Sequence, residues 1–412
     1  MTQAALFVDE RRLSERLAAL ARIGATPTGG VNRPALSAED AEAQALMASW
    51  GRALDLTPSR DDAGNFFLRL NGQDPDAAPV LSGSHLDSQP TGGRYDGVFG
   101  VVAALEAAQA LREAGITPRR SLDVVAWMNE EGSRFAPGMM GAAVFAGDRT
   151  LADIGSVRDA DGICVADALQ DTAMRLAQLP HRPLAGAVHA YVEAHIEQGP
   201  VLDRLGIPVG VVTGIQGKHT FRVVVDGEAA HAGTSNRTER RDALLAALAM
   251  VQALTAELHD AEDQVKFTVG RFEVTPNAPS VVPSRVLFSI DLRHPDTDTL
   301  RRLSAAVEPL CQAHAGPCKV TVTRLSAADS LVFPDAMRAR VKSAADTLGI
   351  ASMELRSAAG HDARYLHSVT PSAMVFVPSR DGITHNETEF TEPADLADGT
   401  RVLTEVLQGL VG

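Results

Sequence analysis

Apolar residues along this chain fall into two textures that exchange places twice. In the first, a nearly continuous apolar run ends in polar residues: PVLSGSH at 79–85, SLDVVAWMNEE at 121–131, AVHAYVEAHIEQG at 187–199 and SAMVFVP at 372–378. Runs with little alternation suit strands buried on both faces, as in a parallel sheet. Helical spacing lies between them. Leu13, Leu17 and Leu20 form one stripe in TQAALFVDERRLSERLAALARIG, and Val98 to Glu113 reads as another helix. Ser37 is placed to cap SAEDAEAQALMASWGRALDL, with Glu39 and Asp40 in the first turn, and NFFLRL follows as a strand.

The second texture begins near Gly217. HTFRVVVDG is a strand, Glu239 to Leu258 a helix, KFTVGRFEV and RVLFSIDLRH strands, Asp298 to Ala315 a helix and CKVTVTRLS a strand. That order predicts a two-layer, ferredoxin-like α+β domain of four strands and two helices. Past Leu331 the first texture returns, with helices at Pro334 to Leu348 and Leu396 to Leu410 around SAMVFVP. The expected fold is therefore α/β. A discontinuous domain, residues 1–216 and 331–412, surrounds a central, largely parallel sheet, and residues 217–330 form the inserted domain.

A length of 412 residues accommodates two domains, since single cores seldom grow past about 250–300 residues. The formal net charge of −14 disfavours a nucleic-acid surface, which needs clustered Lys and Arg. The Met1 end is not patterned as a signal peptide, and no stretch reaches the roughly 20 apolar residues of a membrane span. A soluble, cytoplasmic chain is expected. Its three cysteines, Cys164, Cys311 and Cys318, make no disulfide framework; the last two are candidates to pair, but reduced thiols are the expectation.

Candidate chemistry sits where apolar runs end, the place at which ligands gather in α/β sheets. GSHLDSQPTGGRYDG carries His85, Asp87 and Asp96, the last beyond a loop eased by Gly92 and Gly93. NEEGSRF carries Glu130 and Glu131, EAHIEQG carries His195, and THNETEF carries His385. Imidazoles with carboxylates hold zinc, manganese, cobalt or nickel, and one carboxylate can bridge two ions. Adjacent acids allow one to ligate while its neighbour acts as base. No GxSxG elbow, motif cysteine or GxGxxG turn offers another chemistry.

The segments GSHLDSQPTGGRYDGVFG, NEEGSRF, EAHIEQGPVLD, GEAAHAGT, DLRH and AGHDA occur in this order along nearly the whole chain. Together they resemble the amidase, hydantoinase and carbamoylase branch of the M20 dinuclear metallopeptidase superfamily. The resemblance implies two divalent ions per chain. His85 and His195 would hold one, Glu131 and His385 the other, and Asp96 would bridge them. It casts Glu130 as general base, Asp87 as the carboxylate orienting His85, and His231 as the histidine steadying the oxyanion, commonly across a homodimer. Arg293 is similar to the arginine gripping a substrate carboxylate, with Gln198 and the Gly360 backbone as further pocket contacts.

Two departures bear on the substrate. Ser280 stands where many relatives carry Asn, and SNRTERRDA makes the loop after AHAGT basic where relatives often have Pro and Met. A hydroxyl is shorter than an amide and offers one donor instead of two. The resemblance implies an N-carbamoyl-L-amino-acid hydrolase or β-ureidopropionase acting on a small ureido carboxylate. An allantoate amidohydrolase is the alternative, and an N-acyl-amino-acid hydrolase a weaker one. The inserted domain would serve as lid and dimerisation element.

Overall fold

The structure, a computed structural model, describes residues 3–184 and 186–412. Two compact units form, Met1–Thr213 with Phe333–Gly412, and Gly214–Val332. In the first, strands β1 (Thr57–Arg60), β2 (Phe66–Leu70), β3 (Val80–His85), β4 (Leu122–Trp127), β5 (Ala190–Ile196), β6 (Val209–Ile215) and β7 (Ser372–Val377) lie in the order β1-β2-β4-β3-β5-β7-β6. The four central strands are parallel, β4 to β3 to β5 to β7. β1, β2 and β6 add to them antiparallel. The expected largely parallel sheet is thus a mixed one. The central four strands are buried along their whole length, as a parallel arrangement requires, whereas β1, β2 and β6 are each part-exposed at one position or more.

Register brings the ends of these strands level. His85 pairs with Trp127, His195 with Phe376, and Ser82 with Val192, which sets His85 beside His195. Everything that follows β3, β4, β5 and β7 therefore emerges along one edge of the sheet. Helix α1 (Val98–Glu113), spanning the residues expected of it, packs its apolar length into the core beside β3 and β5.

The amino-terminal helix is broken. Ala4–Phe7 is a 3-10 turn, and Glu10–Leu20 starts afresh because the Asp9 side chain accepts the Arg12 amide hydrogen, ending one helix and capping the next. Thr2, included in the expected helix, lies outside the described residues. The new helix is fastened by Glu106, whose side chain is fully buried in α1. Arg12 donates to it from Nε and Nη2, Arg16 from Nη1 at 2.9 Å, and the Asp9 amide at 3.0 Å. Replacing Glu106 by Ala takes the buried acceptor from a backbone N–H and from two part-buried guanidinium groups, which keep only Glu113, the Phe7 carbonyl and Gln109 nearer the surface. The expected cost is about 3 kcal/mol, read as a lower urea midpoint at unchanged m-value.

The second unit alternates buried and half-buried positions along Gly217–Asp226 and Arg285–His294, so one face is apolar. These strands pair antiparallel in the order Phe272–Thr275, Arg285–His294, Gly217–Asp226, Lys319–Ala328. Helices Ala243–Glu257 and Thr297–Ala313 cover the apolar face with Met250, Leu254, Leu300 and Val307 against Phe221, Val223, Phe288 and Ile290. The first helix begins at Ala243 rather than Glu239 because the Asp242 carboxylate accepts the Leu244 and Leu245 amides and stops the basic segment before it. Cys164, Cys311 and Cys318 are free thiols.

Candidate metal centre

His85 and His195 end two adjacent parallel strands, buried, with ring centroids 5.9 Å apart. Each places Nδ1 at 2.9 Å from a main-chain carbonyl, His85 on Asp87 and His195 on Ile196. Donation to a carbonyl fixes the hydrogen on Nδ1 and leaves Nε2 with its lone pair outward. Both Nε2 atoms face Asp96 Oδ1, at 3.6 Å from His85 and 3.3 Å from His195. The other oxygen, Oδ2, lies 3.4 Å from His385 Nε2, which is also 3.5 Å from Glu131 Oε2. One carboxylate thus faces two donor sets. His85, Asp96 and His195 form one cluster and Asp96, Glu131 and His385 another, each with ligand atoms within 4.8 Å of one another.

These separations suit divalent ions. Two ligand atoms about 2.1 Å from one tetrahedral ion lie roughly 3.4 Å apart, and imidazole with carboxylate is the donor set of zinc, manganese, cobalt and nickel. Electrostatics agree. Burial, helped by Glu131, Asp87 and Asp96, pushes Glu130 well above the usual carboxylate range against the pull of His85. Burial, opposed by His85 and increased by Glu131, raises Asp87 to about 7. Burial also disfavours a charged imidazole at His85, yet Glu130, Asp96 and the other acids carry it well above its ordinary value. Asp87, Glu130 and Glu131 are thus acids that burial holds back from ionising, and a cation between them would favour their charged forms.

The turn after β4 presents the two acids in different directions. Asn129 takes a left-handed backbone, φ 56°, with its amide donating to the Phe135 carbonyl at 2.8 Å. Glu131 turns to the His385 side, where Gln89 donates to it from its side chain at 2.8 Å and from its main chain at 3.2 Å. Glu130 turns to the other side, Oε2 at 3.5 Å from His85 Nε2.

Asp87 departs from its expected part. Its carboxylate is 3.8 Å from His85 Nδ1, too far to orient the ring, and its main-chain oxygen does so instead. The carboxylate accepts the amide hydrogens of Glu130 and Glu131, both at 3.2 Å, and so fixes the acid pair. Gln198 also joins the centre. Its Nε2 donates to Asp96 Oδ2 at 2.8 Å, while its buried Oε1 has no partner among the described residues. Gly97, with φ at +65°, lets α1 begin against the His85 ring, since a Cβ there would lie 2.3 Å from it.

The segment 360–362 borders this cluster. Gly360 is exposed beside Met139, and the His361 ring packs edge-on against His195 at 4.5 Å. The remaining expected residues belong to the second unit. His231 is exposed, and its Nδ1 accepts the amides of Gly233 and Thr234 at 3.0 and 3.2 Å, which assigns the hydrogen of the neutral ring to Nε2. Val281 pairs with His231, so Ser280 is brought next to it, with its carbonyl accepting the Ala232 amide at 3.0 Å. Arg293 is held by Asp291 through two parallel hydrogen bonds of 2.8 and 3.1 Å.

Sequence reasoning missed Glu389. Burial and the neighbouring Asp96 raise it to about 7, and it receives the Tyr95 and Asp96 amides. Its only signal was a second acid in THNETEF.

The chain is similar to known proteins along nearly its whole length. The model of peptidase family M20/M25/M40 matches residues 81–409. An N-carbamoyl-L-amino acid amidohydrolase of Geobacillus stearothermophilus is 37% identical over 402 residues, 96% of this chain and 97% of that protein. An allantoate amidohydrolase of Bacillus subtilis (strain 168) is 33% identical over 398 residues, 95% of each chain. A solved amidase of the hydantoinase/carbamoylase family from Burkholderia vietnamiensis superposes with a TM-score of 0.90 at 40% identity, covering 100% of this chain and 99% of the other.

Proposed function

The chain belongs to peptidase family M20/M25/M40, and from that premise we propose that it hydrolyses the carbamoyl C–N bond of an N-carbamoyl amino acid, releasing the amino acid, ammonia and carbon dioxide. The coarser statement, a hydrolase acting on non-peptide C–N bonds of linear amides, rests on the amidohydrolase relatives as a group. The observation that carries the reading is the Asp96 carboxylate, one oxygen facing His85 and His195 and the other facing His385.

Two divalent ions held by His85, His195, Asp96, Glu131 and His385 would supply polarisation of the substrate carbonyl and a water acidic enough to attack it. The protein does the rest. Glu130 is buried beside that cluster without joining either donor set, so it accepts the proton of the attacking water and passes it to the departing nitrogen. Asp87 holds its main chain in place for both transfers. The unpartnered Gln198 Oε1 suits an N–H of the ureido group. Arg293, its guanidinium held in place by Asp291, takes the substrate carboxylate, and Nε2–H of His231 donates to the developing oxyanion. The Ser280 hydroxyl and the Gly360 main chain complete the substrate contacts.

The second unit, read as a ferredoxin-like lid, also makes the homodimer, and His231 of one chain serves the other's site. Mixed dimers of Glu130→Gln and His231→Ala chains, each inactive alone, are expected to recover activity; verified mixed dimers with none would make each site complete within its chain.

A panel of N-carbamoyl-β-alanine, N-carbamoyl-L-α-amino acids, allantoate and N-acetyl amino acids, compared by kcat/KM, tests the substrate. A carbamoyl amino acid should lead, with its decarboxylated counterpart far behind. Similarity to the Bacillus subtilis allantoate amidohydrolase makes allantoate the second reading, and a tenfold lead over every carbamoyl substrate, a difference of about 1.4 kcal/mol, would install it.

A further inference from the structure

We propose that Glu389 is a positioning residue for the metal centre, locking the bridging Asp96 to the loop that carries His385; this rests on reading the cluster as a metal centre. Its buried carboxylate joins two separate stretches of chain. Oε1 accepts the amides of Tyr95 and Asp96 at 2.9 and 3.1 Å, fixing the main chain from which the bridging side chain springs. Oε2 lies 3.2 Å from the Thr384 hydroxyl, which is itself 3.0 Å from Asp96 Oδ2. Thr384 immediately precedes His385, and the Glu389 amide closes the turn by donating to the Asn386 carbonyl at 3.0 Å. Glu389 therefore sets Asp96 from its main chain, and its Oε2 flanks the Thr384 hydroxyl, whose single hydrogen serves Asp96 Oδ2 or Glu389 Oε2 in turn.

A second observation is independent of these hydrogen bonds. A Cβ at Gly93 would lie 2.0 Å from Glu389 Oε1 and 2.1 Å from its Cδ. The chain leaves position 93 without a side chain where the carboxylate passes. Of the two acids in THNETEF, Glu387 instead reaches the Thr26 hydroxyl, so the inward task belongs to Glu389 alone.

Outer partners of metal ligands typically contribute 10–100-fold to metal affinity. The test is calorimetric titration of metal-free wild type, Glu389→Ala, Glu389→Gln and Thr384→Val with Mn2+, with circular dichroism to establish folding. Glu389→Ala should weaken Mn2+ binding about 10–100-fold, most at the ion held by Glu131 and His385. Glu389→Gln, which keeps an oxygen for the two amides, should return to within about threefold of wild type, a rescue that a general loss of packing would not give. If the Ala chain fails to fold, Thr384→Val carries the test, with at least a threefold loss expected. Wild-type affinity in a folded Ala chain, in Thr384→Val where Ala does not fold, or an equal loss in Ala and Gln, overturns the proposal. A wild type that takes one ion overturns the two-ion reading instead, and the variants then report on Glu389 at that ion.

Discussion

Glu130→Gln lowers kcat by at least about a hundredfold, and up to about ten-thousandfold, the range for losing a positioned base. The size of the effect follows from what the substitution leaves intact. Glutamine has nearly the same shape, the main-chain N–H at 130 still donates to Asp87 Oδ1, and none of the five candidate ligands is altered. What disappears is the capacity to take a proton beside His85 and hand it on. Ion content by elemental analysis and thermal stability should match wild type, and KM should move by no more than a few-fold. Near-native turnover in this variant would place the base elsewhere.

The second large effect belongs to Asp96→Ala. This carboxylate faces both donor sets, so its removal strips each of an oxygen and takes the acceptor from Gln198 and Thr384. Turnover should fall on the order of a thousandfold or more, the equivalent of several kcal/mol of lost carbonyl polarisation, and ion content should fall with it. Asp96→Asn, with a single carbonyl oxygen, should satisfy one side only and retain at most one ion. An Asp96→Ala chain with wild-type ion content would remove Asp96 from the bridging role.

Much of this was legible because burial and chemistry change at the same residues. The runs ending at His85, Glu130 and His195 are apolar while the strand lies inside the sheet and polar where it emerges, so the candidate ligands stand out against their own strands. Helix α1 was legible end to end, since nothing within Val98–Glu113 competes with its spacing. The antiparallel flanks were not. NFFLRL shows the same residues whichever way its partner runs, and direction is set by connections that periodicity does not record. The role of Asp87 was misjudged for a related reason. Two residues from a histidine, its side chain suggested an orienting partner, but the carbonyl reached the ring first and the carboxylate turned to the acid pair. Glu389 and Glu387 are indistinguishable in sequence, and the fold turns the first past Gly93 to the Tyr95 and Asp96 amides and the second to Thr26.

The five candidate ligands stand at positions 85, 96, 131, 195 and 385, a spacing with consequences for how the chain comes to life. No short stretch of the unfolded chain offers more than His85 and Asp96, and the last histidine follows the whole of the second unit. An ion therefore has little to grip until β4, β3, β5 and β7 have paired, and pairing strands so remote along the chain is the slow part of folding. A metal ion bound there would be a late passenger rather than a folding nucleus. It would leave the refolding rate unchanged, slow the opening of the finished molecule, and could be supplied or exchanged after synthesis without the chain having to be made again.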